Sequence, residues 1–376
     1  MEAYLDNSAT TPLCKTAKEK MVYAMENCWG NPSSLHQKGI DAYMLLCDAR
    51  KEAAKALCCD EKEIFFTSGG TEGNNIAILG SARANSRKGK RLITTKIEHP
   101  SVLNSFKQLE NEGFEVIYIG TDKTGHLDMN ELKNAVDEKT ILISVMAVNN
   151  EIGTIQDIDS LRQIVREKNS PALVHVDAVQ AFGKIPLNPK KSGIDLMTVS
   201  SHKIHGPKGV GALFVKQGTP IKGVSFGGGQ EKDIRPGTEG MPAIAGFYGA
   251  VKEMNVKSNL MKVTGLRDGF VNKLRQIEGI SINSPDDALP FIVNISADGL
   301  RSETVLNFLS DMEIYISSGS ACAKGHKSHV LTAMGLDDRR IDSSLRVSLS
   351  RMTTEAELDY FIEGIKMAMK VIMRRK

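Results

Sequence analysis

Short runs of aliphatic and β-branched residues alternate with longer amphipathic runs through the first two-thirds of the chain. EIFFTS (63–68), RLITT (91–95), EVIYIG (115–120), ILISVMAV (141–148), ALVHVD (172–177) and LMTVS (196–200) read as strands. Between them, three runs read as helices: GGTEGNNIAILGSARA, with Ile76 and Leu79 at helical spacing; SVLNSFKQLENEG (101–113), closing on Gly113; and SLRQIVREKN (160–169). Strand and helix in alternation predict an α/β fold, a mainly parallel sheet with crossover helices.

The pattern stops at a polar, glycine-rich stretch, Phe226 to Gly240. A long helical region is expected from Pro242 to Ile277. After it come short strands, PFIVNIS (290–296), EIYISSG (313–319) and LRVSLS (345–350), with helices over 302–311 and 354–373. These compose a smaller α+β domain. The expected division is a large α/β domain over 15–255 and a small domain over 1–14 plus 256–376, with the strand YLDNSATTP attached to it. At 376 residues the chain is long enough for two cores.

Composition narrows the class. Hydrophobic residues at 41% and charged residues at 25% are ordinary for a globular enzyme, and a net charge of +3 is too mild to indicate nucleic acid. No stretch approaches the ~20 apolar residues that span a bilayer. The polar start MEAYLDNSATTP is unlike a signal peptide, so a cytoplasmic protein is expected. Six cysteines at irregular spacing fit neither a zinc site nor a disulfide framework.

In open α/β sheets, ligands bind beyond the carboxyl ends of the strands. Here those ends carry Gly69-Gly70-Thr71, Glu98-His99, Asn149-Asn150-Glu151, Asp177 with Gln180, and Ser201-His202-Lys203. Each has an ordinary use: SGGT as a tight turn, Asp177 as a cap, a lysine as surface charge. HKIH (202–205) lacks the further ligands a metal needs. Together they match what pyridoxal phosphate demands: a lysine (Lys203), an acid for the ring nitrogen (Asp177), a phosphate cup (Gly70, Thr71) and a ring to stack (His99). One cysteine stands apart. In SSGSACAKG (317–325), Cys322 is surrounded by small residues that cannot bury it, so it is presented rather than packed.

The segments YLDNSATTP, GNPSSLHQKG, FTSGGTEGNN, VNNEIGTIQDI, VHVDAVQAFGK, SSHKIHGPKGVG, GGGQEKDIRPGTE and SSGSAC together resemble the cysteine desulfurases. The resemblance runs through nearly the whole chain, in the family's order. These are fold-type-I pyridoxal phosphate enzymes of the class V aminotransferase superfamily, and SSGSAC resembles the nitrogenase-type and housekeeping group. The resemblance implies conversion of L-cysteine to L-alanine with the sulfur held on Cys322 as a persulfide. Lys203 would be the Schiff-base lysine, Asp177 the partner of the pyridinium nitrogen, and Gln180 that of the ring oxygen. His99 would stack on the ring and move protons. Thr71, Ser200 and His202 would hold the phosphate, joined by Thr238 from the other subunit of a homodimer. Asn150 and Arg346 would hold the substrate carboxylate. The sulfur would pass to an acceptor protein, an iron–sulfur scaffold or one serving transfer-RNA thiolation.

The chain departs from the family after the cysteine. CAKGHKSHVLTAMG lacks the usual Leu-Glu-Pro-Ser segment and is about two residues shorter. It places Lys324, His326 and Lys327 near the thiol, an arrangement that would raise the thiolate fraction or else dock an acidic scaffold protein, two readings the sequence does not separate. Selenocysteine lyase shares the cofactor and first steps, and a non-catalytic assembly platform and an ordinary aminotransferase share the fold. The presence of Lys203, Asp177 and SSGSAC together favours the desulfurase.

Overall fold

A computed structural model describes residues 1–318 and 327–372; Cys322, Lys324 and His326 lie outside the described residues. The strands in chain order are β1 (Ala3–Tyr4), β2 (Ile64–Thr67), β3 (Arg91–Thr95), β4 (Glu115–Ile119), β5 (Thr140–Met146) and β6 (Leu173–Asp177). They continue as β7 (Leu196–Ser200), β8 (Gly211–Val215), β9 (Ile280–Ile282), β10 (Ile292–Ala297), β11 (Ile314–Tyr315) and β12 (Ser344–Ser348). Seven form the central sheet in the order β2-β8-β7-β6-β5-β3-β4. The pairs from β7 across to β4 are parallel. Strand β8 is antiparallel to both its neighbours, β2 and β7.

All six strands expected in this region occur. The sequence pattern did not single out β8, which is reached from β7 through residues 201–210 with no intervening α-helix. Its five residues are all buried, as are those of β5 and β7, so these strands are unbroken apolar runs. Because β8 reverses, β2 runs in the same direction as β7. Six strands therefore deliver their carboxyl ends to one edge of the sheet.

Two helices absent from the sequence reading, Lys15–Asn27 and Gln37–Ala56, pack on Met241–Lys252. The first contact is at backbone distance: a Cβ on Gly249 would lie 2.6 Å from the Thr16 carbonyl oxygen. The single helical region expected over 242–277 is two helices, Met241–Lys252 and Val256–Arg275. The break has a local cause. Glu253 turns out of the helix to accept from the Thr16 amide and the Arg351 guanidinium, and the Asn255 side chain caps the second helix by accepting from the Ser258 amide.

The C-terminal third forms an antiparallel sheet, β12-β10-β9, and β1 pairs in parallel with β11. The strand expected over 313–319 is reduced to β11, followed by an isolated bridge from Ser317 to Arg346. YLDNSATTP is a strand only at β1. Beyond it, Asn7 and Ser8 hydrogen-bond to Ser348 of β12, and the chain runs on to the carboxyl-end edge of the central sheet. One apolar core joins Phe66, Val145 and Phe214 of the central sheet through Phe247 to Phe270, Phe361 and Val347. No helix among the described residues is long and apolar enough to cross a membrane.

Candidate active site

The carboxyl-end edge of the central sheet opens into a cavity of about 360 Å³. Gly70, Thr71, His99, Asn150, Asp177, Gln180, Ser200, His202, Lys203 and Arg346, all singled out from the sequence, line it. Thr238 does not; it is exposed in the glycine-rich loop. Glu151, collected among the strand-end residues but given no role, also lines it, and the sequence reading missed Ser8, Ala9, Asn74, Ser328 and His329, which line it too.

Lys203 stands in the 3-10 turn directly after β7. Its Nζ donates to the carbonyls of Ser8 and Ala9, the latter at 2.6 Å. The N-terminal segment is laced to this turn: Thr11 Oγ1 donates to the His202 carbonyl at 2.9 Å and accepts from the His205 amide at 2.8 Å. His202 and His205 face Thr10 and the Pro12 carbonyl. Burial lowers both imidazoles to about 4, so they are neutral in this setting.

Asp177 ends β6 and is buried. Its Oδ1 accepts from the Val179 amide at 3.0 Å and its Oδ2 from Asn74 Nδ2 at 2.7 Å. Asn74 also donates to Ser101 Oγ at 2.9 Å, and Ser101 Oγ lies 2.8 Å from His99 Nδ1. A polar chain thus runs from Asp177 to His99. His99 caps the helix Pro100–Asn111, its Nδ1 accepting from the Ser101 amide at 3.1 Å. The neutral ring therefore carries its proton on Nε2. Burial depresses its pKa, and Lys203 and His329 add to the effect while Asp177 opposes it.

The residues between 3 and 361 match the family described as aminotransferase class-V. The chain belongs to that family. It is 43% identical over 367 residues to the cysteine desulfurase IscS of Methanosarcina thermophila, covering 96% of this chain and 90% of that protein. Among solved structures, a NifS-like protein superposes with a TM-score of 0.94 at 38% identity, covering 99% of this chain and all of the other. Another, SspA in complex with cysteine, gives a TM-score of 0.83 at 32% identity over 94% of this chain and 100% of that one. The fold is that of fold-type-I transferases, and the family depends on pyridoxal 5′-phosphate.

The cavity fits that group. Ser200 Oγ is buried without a hydrogen-bond partner among the described residues. It faces the turn at Gly69, whose φ of +146° favours glycine. A Cβ at Gly70 would come within 2.7 Å of Val179 Cγ2, so the turn leaves backbone N–H groups and an unsatisfied hydroxyl, the donor set a phosphate takes. Asp177 supplies a buried carboxylate and Lys203 an amine.

Arg346, on β12, is nearly closed off from solvent. Its Nη1 donates to the Asn150 carbonyl and its Nη2 to Asp6 Oδ1, both at 2.9 Å. Its Nε is buried with no partner among the described residues. The backbone of Ser317 pairs with that of Arg346. On the far side of the 319–326 segment, Ser328 Oγ donates to Glu151 Oε2 at 2.5 Å, and His329 Nε2 lies 3.0 Å from the Glu98 carbonyl. Ser317, Ser328 and His329, the described residues on either side of 319–326, are thus hydrogen-bonded to Arg346, Glu151 and Glu98. Burial raises the Glu151 carboxyl to about 7 and that of Glu98 to about 8. Of the basic residues expected to act on the thiol, Lys327 is paired with Asp338 at 2.7 Å, which compensates its charge; Lys324 and His326 lie outside the described residues.

Proposed function

We propose that this protein is a cysteine desulfurase: it takes sulfur from L-cysteine, releases L-alanine and holds the sulfur on Cys322. The observation that carries the reading is the meeting of Lys203, Asp177, His99, Ser200 and Arg346 in one cavity at the strand ends. The relatives' names and the bound cysteine of SspA point the same way.

Gly70, Thr71, Ser200 and His202 would hold the cofactor phosphate, Asp177 its ring nitrogen and Gln180 its ring oxygen, with His99 against the ring face and Lys203 bound covalently at rest. When bound, pyridoxal phosphate supplies an electron sink that stabilises negative charge at the substrate Cα. Arg346 and Asn150 orient the substrate by its carboxylate, Arg346 offering the Nε–H that has no partner among the described residues. Lys203 Nζ, standing beside the substrate Cα, would take the Cα proton. His99 exchanges protons through Nε2. The Cys322 thiolate then forms an S–S bond to the substrate sulfur as the Cβ–Sγ bond breaks. The electron pair stays with the carbon fragment, which becomes alanine by taking up one proton at Cβ and recovering one at Cα from Lys203. A sulfur acceptor protein takes the product outside the cavity.

The active unit in this reading is a homodimer. Tyr23, Trp29, Leu35, Tyr43 and Met44 are all at least half exposed on the two N-terminal helices and their connection, and Phe226 is 95% exposed in the loop of Thr238. Burying such a face in a second copy is favourable, and Thr238 would then reach the partner's phosphate site.

The test is product formation from L-cysteine with a reductant present. The holoenzyme should yield alanine and sulfide in equal amounts, and Cys322→Ser should lose both while keeping the cofactor. No alanine from the holoenzyme overturns the desulfurase reading. Undiminished alanine from Cys322→Ser overturns the role of Cys322 and favours a lyase that releases the chalcogen directly.

A further inference from the structure

Lys184 follows Gln180 by four residues in a run of tight turns, and only 5% of it is exposed. Its Nζ donates to Gln180 Oε1 at 2.9 Å and lies 5.8 Å from the centroid of the Phe291 ring. On the opposite side of the same amide, Gln180 Nε2 donates to the Ser8 carbonyl at 2.9 Å. That carbonyl also accepts from Lys203 Nζ. In its ammonium form Lys184 can only donate, and a carbonyl can only accept. The two neighbours therefore select the same one of the two amide flips, with Nε2 on the side of Lys203.

Keeping an amine in such a place is costly. Burial first, then Lys203 and Arg346, bring it down to about 7. Nothing in the chemistry assigned to Lys203, Asp177 or Cys322 uses it.

We propose that Lys184 is a positioning residue: it locks the Gln180 amide so that an Nε2 N–H faces the ring oxygen of the bound cofactor. The proposal rests on the reading of Gln180 as the partner of that oxygen. An N–H aimed at the oxygen, and a positive charge behind it, both favour the more negative form of the group bound to Lys203. Losing either moves the protonation midpoint of that group upward.

The experiment is a pH titration of the visible absorption of the bound cofactor, without substrate, in the holoenzyme and three variants. Gln180→Ala should raise the midpoint by about 0.5–1 pH unit, the worth of one hydrogen bond. Lys184→Met should raise it by at least half as much. Lys184→Gln, which keeps an N–H donor for Oε1 but not the charge, should return at least halfway to the unmodified value. Lys184→Leu replaces Lys184→Met if the latter does not fold. A Lys184→Met midpoint equal to the unmodified one, with Gln180→Ala shifted, overturns the proposal alone. Equal shifts in Lys184→Met and Lys184→Gln also overturn it, because charge and not amide orientation would then be acting. An unshifted Gln180→Ala overturns the reading of Gln180 and the proposal with it.

Discussion

Arg346 commits one N–H of each terminal nitrogen to the protein, on Asp6 and the Asn150 carbonyl, and its Nε has no partner among the described residues. A lysine ammonium cannot reproduce this planar division of donors. Arg346→Lys should therefore raise KM for L-cysteine by about 10- to 100-fold, the worth of a charge-assisted hydrogen bond, with a smaller loss in kcat. Steady-state kinetics check this, and an unchanged KM would remove Arg346 from carboxylate binding. At this scale the sequence was readable wherever a chemically distinctive side chain sits at a strand end, as Lys203, Asp177 and His99 do. Ser8 and Ala9 act through carbonyls, which no residue type advertises. Asn74 and Lys184 act on Asp177 and Gln180 rather than on the ligand, and only the folded contacts reveal them.

The helix Lys15–Asn27 shows why some elements escaped the pattern. Ala17 and Ala24 are buried while Val22, Tyr23 and Met25 are exposed, so its apolar residues occupy more than one face and the helical period is blurred. Its seat depends on the absence of a side chain at Gly249. There a Cβ would lie 2.6 Å from the Thr16 oxygen and 2.9 Å from the Ala17 Cα, both backbone atoms with no rotamer to yield. Gly249→Ala should therefore cost about 1–3 kcal/mol of stability in denaturant unfolding, the usual penalty of overpacking. Unchanged stability would mean that the two helices can separate without loss. The strand β8 escaped for a different reason. A reversed strand entered through a loop with no α-helix breaks the strand–helix alternation on which the reading relied, although its residues are as apolar as those of its neighbours.

The molecule as a whole brings together pieces distant in sequence. The N-terminal segment supplies Ser8 and Ala9, the central sheet its strand ends, and β12 Arg346, so the cavity is complete only when the C-terminal third is folded against the rest. In the proposed homodimer, Thr238 and the exposed apolar face on the N-terminal helices would extend this logic to a second copy. Replacing both Leu35 and Tyr43 with Asp should produce monomers in sedimentation and weaken cofactor retention about 10-fold or more, the effect of losing one or two phosphate contacts. Full retention in a demonstrable monomer would contradict the crossing of Thr238. The central claim, that sulfur moves from L-cysteine to Cys322, is tested most directly by mass spectrometry. The holoenzyme is given L-cysteine without reductant and alkylated, and the Cys322 peptide is weighed. The account predicts one added sulfur atom on that peptide and on none of the other cysteine peptides. An unmodified Cys322 in protein that still holds its cofactor would contradict it.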